Sequence, residues 1–242
     1  MTMKKIGWRD VCEDPGDPRA HDFLRSKMRE LKLPGLTSPL NFLARFVERE
    51  DVLDIGVVEH TLARTYGDEW KHRRIKENAA RTVGIDIVAD AVAALCERGY
   101  DVLCIDATSD FDLGDRFSRI VIGDVIEHVD SPVRLLRFAA RHLSSEGLVL
   151  CTTPNPFFVG HLVRGFRDPP FVANGEHICW ITPTMALEIG RRAGLDLVAY
   201  HHTIGSGSTF VRRLLVRMVR WFGLIEKEIF SGSYYYIFKK AD

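Results

Sequence analysis

VLDIG, residues 52–56, is a short apolar run that closes on an acid and a glycine. A run this short, with no in–out alternation, fits a strand buried on both faces, as in a parallel sheet covered by helices. Outward from it the same pattern recurs in TVGIDI (82–87), DVLCIDA (101–107), SRIVIGD (118–124) and GLVLCTTP (147–154). Helical spacing is predicted between most of these, over residues 68–81, 89–98 and 132–143. Short strands alternating with such helices read as β-α units on a parallel sheet. A further helix is predicted over 182–193, with Thr182 as N-cap, Pro183 in the first turn and Gly194 just past the end. Residues 195–201 and 234–238 add strands, for six or seven in one α/β unit.

Before residue 51 the pattern is helical. Residues 8–20 are polar and hold Pro15 and Pro18, a loose leader. Helices are predicted over 21–32 and 38–50, broken by Pro34-Gly35. Residues 155–181, rich in Pro, Gly and aromatics, are expected to be irregular, and a stretch that long without regular structure is usually functional. Residues 209–222 spell a basic amphipathic helix, with Val211, Leu214, Leu215, Met218 and Trp221 on one face and four arginines. It can pack as an ordinary helix or make a peripheral contact with an anionic membrane. The expected organisation is a leader with lid helices over 1–50, then one domain over 51–242.

The 242 residues carry 33 Lys and Arg against 33 Asp and Glu, with 46% hydrophobic and 27% charged residues. These are globular values, and the zero net charge argues against a nucleic-acid partner. The five cysteines are scattered with no C-x-x-C pair, so neither a zinc ribbon nor a disulfide frame is expected. No apolar run reaches the length of a membrane span and no secretory signal opens the chain. The expected compartment is the cytoplasm. A nucleophile elbow and a P-loop are both absent.

Ligands of open parallel sheets bind beyond the carboxyl ends of the strands. Standing there are Asp54 and Gly56, then Asp86, then Asp106, then Asp124, Glu127 and His128, then Thr152 to Asn155. Asp86 closes its strand 30 residues after Gly56, where a carboxylate can accept both hydroxyls of a ribose. Asp106 can accept from an exocyclic amine. Either acid can instead cap the helix that follows. Glu59 can pair with an ammonium, or sit at a helix start where the dipole favours it. Asp124, Glu127 and His128, at i, i+3 and i+4, share one face if the segment turns helically. His128 can then act as a general base with an acid behind it. The same three can ligate a divalent ion, or only hydrogen-bond the loop.

VLDIG, VGIDI, CIDATS, GDVIEHVDSP and LVLCTTPNP, in this order over residues 50–200, resemble the class I S-adenosylmethionine-dependent methyltransferases. The E-H-V motif is similar to the branch of ubiquinone-pathway and glycan or natural-product O-methyltransferases. The resemblance implies a Rossmann-like, mostly parallel seven-stranded sheet, with S-adenosylmethionine as cofactor and S-adenosylhomocysteine as product. It implies that Gly56 admits the methionine part of the cofactor and that Asp86 binds ribose. Asp106 and Ala107 would border adenine, and Gly123 and Asp124 would line the methyl-transfer face. Asp54, Glu59, His60 and Ile87 complete the cofactor set. An acceptor, either a small molecule or a glycan or lipid-linked intermediate, is expected under residues 155–181, against Asn155, Phe158, His177 and Trp180.

One departure stands out. The first loop of that family usually carries three glycines, and here it reads Asp54-Ile55-Gly56-Val57-Val58-Glu59-His60. Val58 and His60 adopt positive φ less readily than glycine. Either the loop takes a different path, or the chain is a non-catalytic partner that no longer binds cofactor. The following Trp70-Lys71-His72 resembles a glycine-poor subgroup and favours an altered, working loop. The expected reaction is methyl transfer to oxygen, with nitrogen as the alternative acceptor.

Overall fold

The structure, a computed structural model, describes residues 7–204 and 227–241. Helices α1 (Pro18–Leu31) and α2 (Pro39–Phe46) precede β1 (Asp51–Ile55). Then follow α3 (Lys71–Asn78), β2 (Arg81–Asp86), α4 (Ala89–Glu97), β3 (Val102–Cys104), β4 (Phe117–Gly123) and α5 (Pro132–His142). The chain continues through β5 (Leu143–Pro154), α6 (Val159–Arg167), α7 (Pro183–Ala193), β6 (Leu195–His202) and β7 (Ser233–Lys240). The seven strands form one sheet in the order β3-β2-β1-β4-β5-β7-β6. The first five run parallel, and β7 pairs antiparallel with both β5 and β6.

Strand parity sorts the core, because successive side chains point to opposite faces. Leu53 and Ile55 join Ile120, Ile122, Val149 and Cys151 under α5 and α7. Val52 joins Val121 and Leu150 on the other face, against Leu43 and Val47 of the α2 region and Ile75 of α3. Asp54 has the parity of Val52, which sends a carboxylate into that second layer. Both faces of β1 are therefore covered, which explains why its sequence shows no alternation.

Two expectations are corrected. The stretch 155–181 is not irregular throughout: Val159–Arg167 forms α6, which buries none of its residues. Residues after α1 dock on edge strand β6, with the N–H of Leu33 donating to the carbonyl of Tyr200 and that of Leu36 to His202. The predicted leader is also shorter, since α1 starts at Pro18 with Asp17 capping the N–H of Arg19. The predicted basic helix over 209–222 lies outside the described residues. Among the described residues, no helix is long and apolar enough to cross a membrane.

Candidate active site

At the carboxyl ends of β1 to β4 the strands open into a cleft of about 470 Å³, within the size range of small-molecule sites. The expected residues Gly56, Glu59, His60, Asp86, Ile87, Asp106, Ala107, Gly123, Asp124 and His128 all line it. Asp54 does not. It is buried and accepts from His72 Nδ1 at 2.8 Å, so it supports the loop from beneath.

The loop after β1 keeps its first glycine and turns without the other two. Gly56 has φ +87°, and a Cβ there would lie 2.2 Å from Val125 Cγ2. Positive φ then falls on Glu59 (50°) and His60 (71°), a conformation that costs non-glycine residues of order 1 kcal/mol or more each. Three anchors offset that cost. The buried Trp70 indole donates to the carbonyl of Val57 at 2.7 Å. His72 holds Asp54, and the N–H of Val58 donates to Asp86 Oδ2 at 2.9 Å. The Trp-x-His pair is thus a buried brace for a loop without its glycines.

Asp86 takes the capping role among the readings made of it and keeps room for a ligand. Oδ1 accepts from the N–H of Val88 just before α4, and Oδ2 accepts from Val58. Each oxygen keeps a second lone pair for a ribose hydroxyl. Beside it Ile87 is 70% exposed. A bare isoleucine on the wall of an acid-lined cleft makes a platform for a flat ring. Asp106 spends Oδ1 on the backbone and hydroxyl of Thr108 and leaves Oδ2 without a bond among the described residues. These residues fit a nucleoside, with an apolar face for the base and two carboxylates for its polar edges.

At the other end of the cleft stands a residue not singled out from the sequence. Lys71 Nζ lies 2.5 Å from Asp124 Oδ2, and the N–H of Lys71 donates to Glu59 Oε1 at 3.4 Å. Burial works against the ammonium, yet Asp124 and Glu59 hold its pKa above the ordinary value. Burial also works against the charge of Asp124, and Lys71 and Thr152 outweigh it and hold its pKa low. Asp124 itself has φ 57°, its N–H donating to Thr152 Oγ1 at 3.0 Å. The sequence signal for Lys71 was its place between Trp70 and His72. Its partner is 53 residues away and not readable from spacing.

The expected grouping of Asp124, Glu127 and His128 on one face is only partly realised. Asp124 turns to Lys71. Among the described residues neither acid hydrogen-bonds the His128 ring. Glu127 is buried, and among the described residues neither of its carboxylate oxygens has a hydrogen-bond partner. Burial, reinforced by Asp124, pushes its pKa up to about 7. Its backbone carbonyl accepts from Ile178 and Cys179, which ties the stretch 155–181 to the β4 end. The ligand-type atoms of Glu127, His128 and His177 lie within 4.8 Å of one another, so the three-residue set gathered here contains His177 in place of Asp124.

His128 meets His60 and His177 edge to face, with ring centroids 5.4 and 4.7 Å apart. Burial, with His128 and His60 nearby, pushes the pKa of His177 down. Trp180 packs its edge on His177 and His161, and Phe158 meets His161. Asn155 stands apart from the expected acceptor group. It is fully buried, its amide donates to the carbonyls of Glu228 and Ser231, and it accepts from the N–H of Phe157. Its work is to fix the start of the stretch to the segment before β7. Glu176, which is not among the expected site residues, meets His60 Nδ1 at 3.0 Å and so joins the loop after β1 to the stretch 155–181.

The sequence model of a family described as a methyltransferase domain matches residues 25–200. No curated protein sequence matches the chain. Among solved structures, it is similar to an S-adenosylmethionine-dependent methyltransferase from Archaeoglobus fulgidus, with TM-score 0.53 and 19% identity over 91% of this chain and 99% of that one. It is also similar to 1,6-didemethyltoxoflavin-N1-methyltransferase from Burkholderia thailandensis, with TM-score 0.54 and 14% identity over 92% of this chain and 84% of the other. The [4+2]-cyclase SpnF shares the fold as well, at TM-score 0.51 and 19% identity over 84% and 80% of the two chains. At these identities the likenesses establish the fold.

Proposed function

This chain belongs to the methyltransferase-domain family, the class I S-adenosylmethionine-dependent methyltransferases, and from that premise we propose that it methylates an oxygen of a small molecule or of a glycan or lipid-linked intermediate. The observation that carries the oxygen assignment is the position of His128. It lines the cleft beside Asp124, and its ring meets His177 from the aromatic stretch on the acceptor side. A proton acceptor therefore lies between the cofactor end and the acceptor end.

When bound, S-adenosylmethionine supplies a methyl carbon already activated by its sulfonium, so the protein has mainly to position the pair and exclude water. Asp86 holds the ribose, Ile87 and Ala107 flank the adenine, and Asp106 accepts from its amine. His128 takes the proton of the acceptor hydroxyl. Glu127, within 4.8 Å of it and ionising near neutrality, favours the cationic ring that results. His177 and Trp180 present ring edges to the acceptor, a surface suited to a sugar, a phenol or a lipid-linked head group. The five unpaired cysteines support a reducing, cytoplasmic setting.

The test begins with calorimetric titration of S-adenosylmethionine and S-adenosylhomocysteine into the protein and into Asp86→Ala. Micromolar binding, weakened at least tenfold by the substitution, is expected. No binding by folded protein would instead leave a non-catalytic partner protein. Acceptor screening with labelled methyl donor follows. With an oxygen acceptor, His128→Ala is expected to lower kcat about 100-fold, in line with the worth of a general base. A nitrogen acceptor brings its own lone pair, so a change under threefold would turn the assignment to N-methylation.

A further inference from the structure

Helix α6 is built inside out. An amphipathic helix on a folded domain normally turns its apolar stripe to the core and its charges to water. Here Leu162, Val163 and Phe166, at i, i+1 and i+4, form the stripe, and all three are exposed, Phe166 by 88%. The opposite face carries His161, Arg164 and Gly165, and this is the face that packs. The His161 ring meets Phe158, Phe171 and Trp180 edge to face. Arg164 donates to His161 Nδ1 at 2.7 Å and lies over the Phe171 ring. In the flanking chain Phe157 and Val172 stand exposed as well. We propose that α6 is a docking face for an anionic lipid surface, with Leu162, Val163 and Phe166 inserting between the lipids and Arg167 meeting their headgroups. The face stands apart from the cofactor reading. Where that reading holds, it selects the lipid-linked acceptor among those named above.

Charge selects the occupant. Residues 157–175 hold two arginines and a single acid, Asp168. Arg167, one turn after Val163, borders the apolar stripe, and its side chain stays 81% exposed although Asp168 lies 3.5 Å away. An apolar stripe with a cation at its edge is what the boundary between acyl chains and anionic headgroups accepts. Size argues the same way. Nine residues of helix span about 14 Å, too little on their own for the roughly 800 Å² that each partner of a stable dimer contributes. A self-complementary contact through α6 would also bring the arginines of two copies together. A helix lying in a membrane interface needs to sink only about 5–10 Å, which three apolar side chains on one face can fill. The location fits delivery of an acceptor. His161 packs on Trp180, Trp180 on His177 and His177 on His128, so a run of rings joins the back of the docking face to the cleft.

The test is sedimentation of the full chain with vesicles of phosphatidylcholine carrying one quarter phosphatidylglycerol, against vesicles of phosphatidylcholine alone. Unmodified protein is expected to bind the anionic vesicles, and the triple variant Leu162→Ser, Val163→Ser, Phe166→Ser should lower its partition coefficient at least tenfold. Arg167→Gln should lower it about fivefold on anionic vesicles, the worth of one arginine near a charged surface, and under twofold on neutral ones. All variants should keep the thermal transition of the unmodified protein, since these side chains touch water, and that separates lost docking from lost folding. Phe166→Trp adds a readout that requires no loss: its extra emission should shift to the blue on anionic vesicles. Unmodified protein that leaves anionic vesicles unbound would overturn the assignment. So would binding that the triple variant retains in full, which would put the lipid contact elsewhere in the chain. Dimers in analytical ultracentrifugation that the triple variant abolishes would give the face to a second copy instead. Failure of S-adenosylhomocysteine to bind any form of the protein would overturn the cofactor reading alone.

Discussion

The two ends of the site are built in opposite ways. At the cofactor end, side chains are buried and pinned: Trp70 to Val57, His72 to Asp54, Asp86 to Val58 and Val88. At the proposed acceptor end, α6 buries no residue, and Leu162, Val163 and Phe166 stand in the open. The first region holds strained backbone in one conformation, and it needs anchors because positive φ at Glu59 and His60 would otherwise relax. The second offers aromatic and apolar surface around a cluster of imidazoles and few fixed bonds. A shared donor calls for a rigid seat, whereas the acceptor is where members of one fold diverge.

The largest expected effect comes from breaking the rigid end. His72→Ala leaves the buried Asp54 carboxylate unpaired and should cost about 3 kcal/mol, roughly 6–12 °C in Tm, with cofactor affinity falling alongside. A loss under about 1 kcal/mol by thermal denaturation would show that the brace is not what holds the loop. An intermediate effect is expected at the joint between the ends. Burial raises the pKa of Glu127 in the folded state to about 7, above its unfolded value. Its contribution to stability is therefore full below about pH 4 and is lost as pH rises through 7. Glu127→Gln removes that ionisation, so its Tm should match that of the unmodified protein near pH 4 and exceed it by a few degrees near pH 8.5. A gap that does not grow with pH would break this account. The smallest effect belongs to the open end. Phe166 is 88% exposed, and Phe166→Ser should move stability by no more than about 0.5 kcal/mol. A larger loss would mean that α6 is covered, and the contrast between the two ends would narrow.

Much of this is legible in the sequence. Strands β1, β2 and β4 are readable because both of their faces are buried, so their sequences are short, mostly apolar runs that close on or beside an acid. The strand-end residues Gly56, Asp86, Asp106, Gly123 and Asp124 then fell into one cleft, because a parallel sheet brings its carboxyl ends together whatever the loops do. What escaped was set by contacts across the chain. Lys71 meets Asp124 only because α3 starts where the brace of Trp70 and His72 puts it. Asn155 reads as a site residue from its place after β5, yet its amide is consumed by backbone 73 and 76 residues further on. Helix α6 was hidden by flanking prolines and glycines, and its register gives no buried stripe to detect. The docking of residues 32–36 on β6 has no local signature, since edge pairing is backbone to backbone.

Strand β7 sits between β5 and β6, although it follows both in the chain. β6 has no strand neighbour on its inner side until β7 arrives, and residues 32–36 in turn lean on β6. An early segment of the polypeptide must therefore wait for a late one. During synthesis the five-stranded parallel half, with its cofactor cleft, can assemble while β5 still has a bare edge. The remaining assembly, with α1 against β6, closes in a single long-range step. Closures of that span are the slow part of folding, and a bare strand edge invites pairing with another chain. The vulnerable interval in the life of this protein is thus the moment before residues 233–240 slide into place.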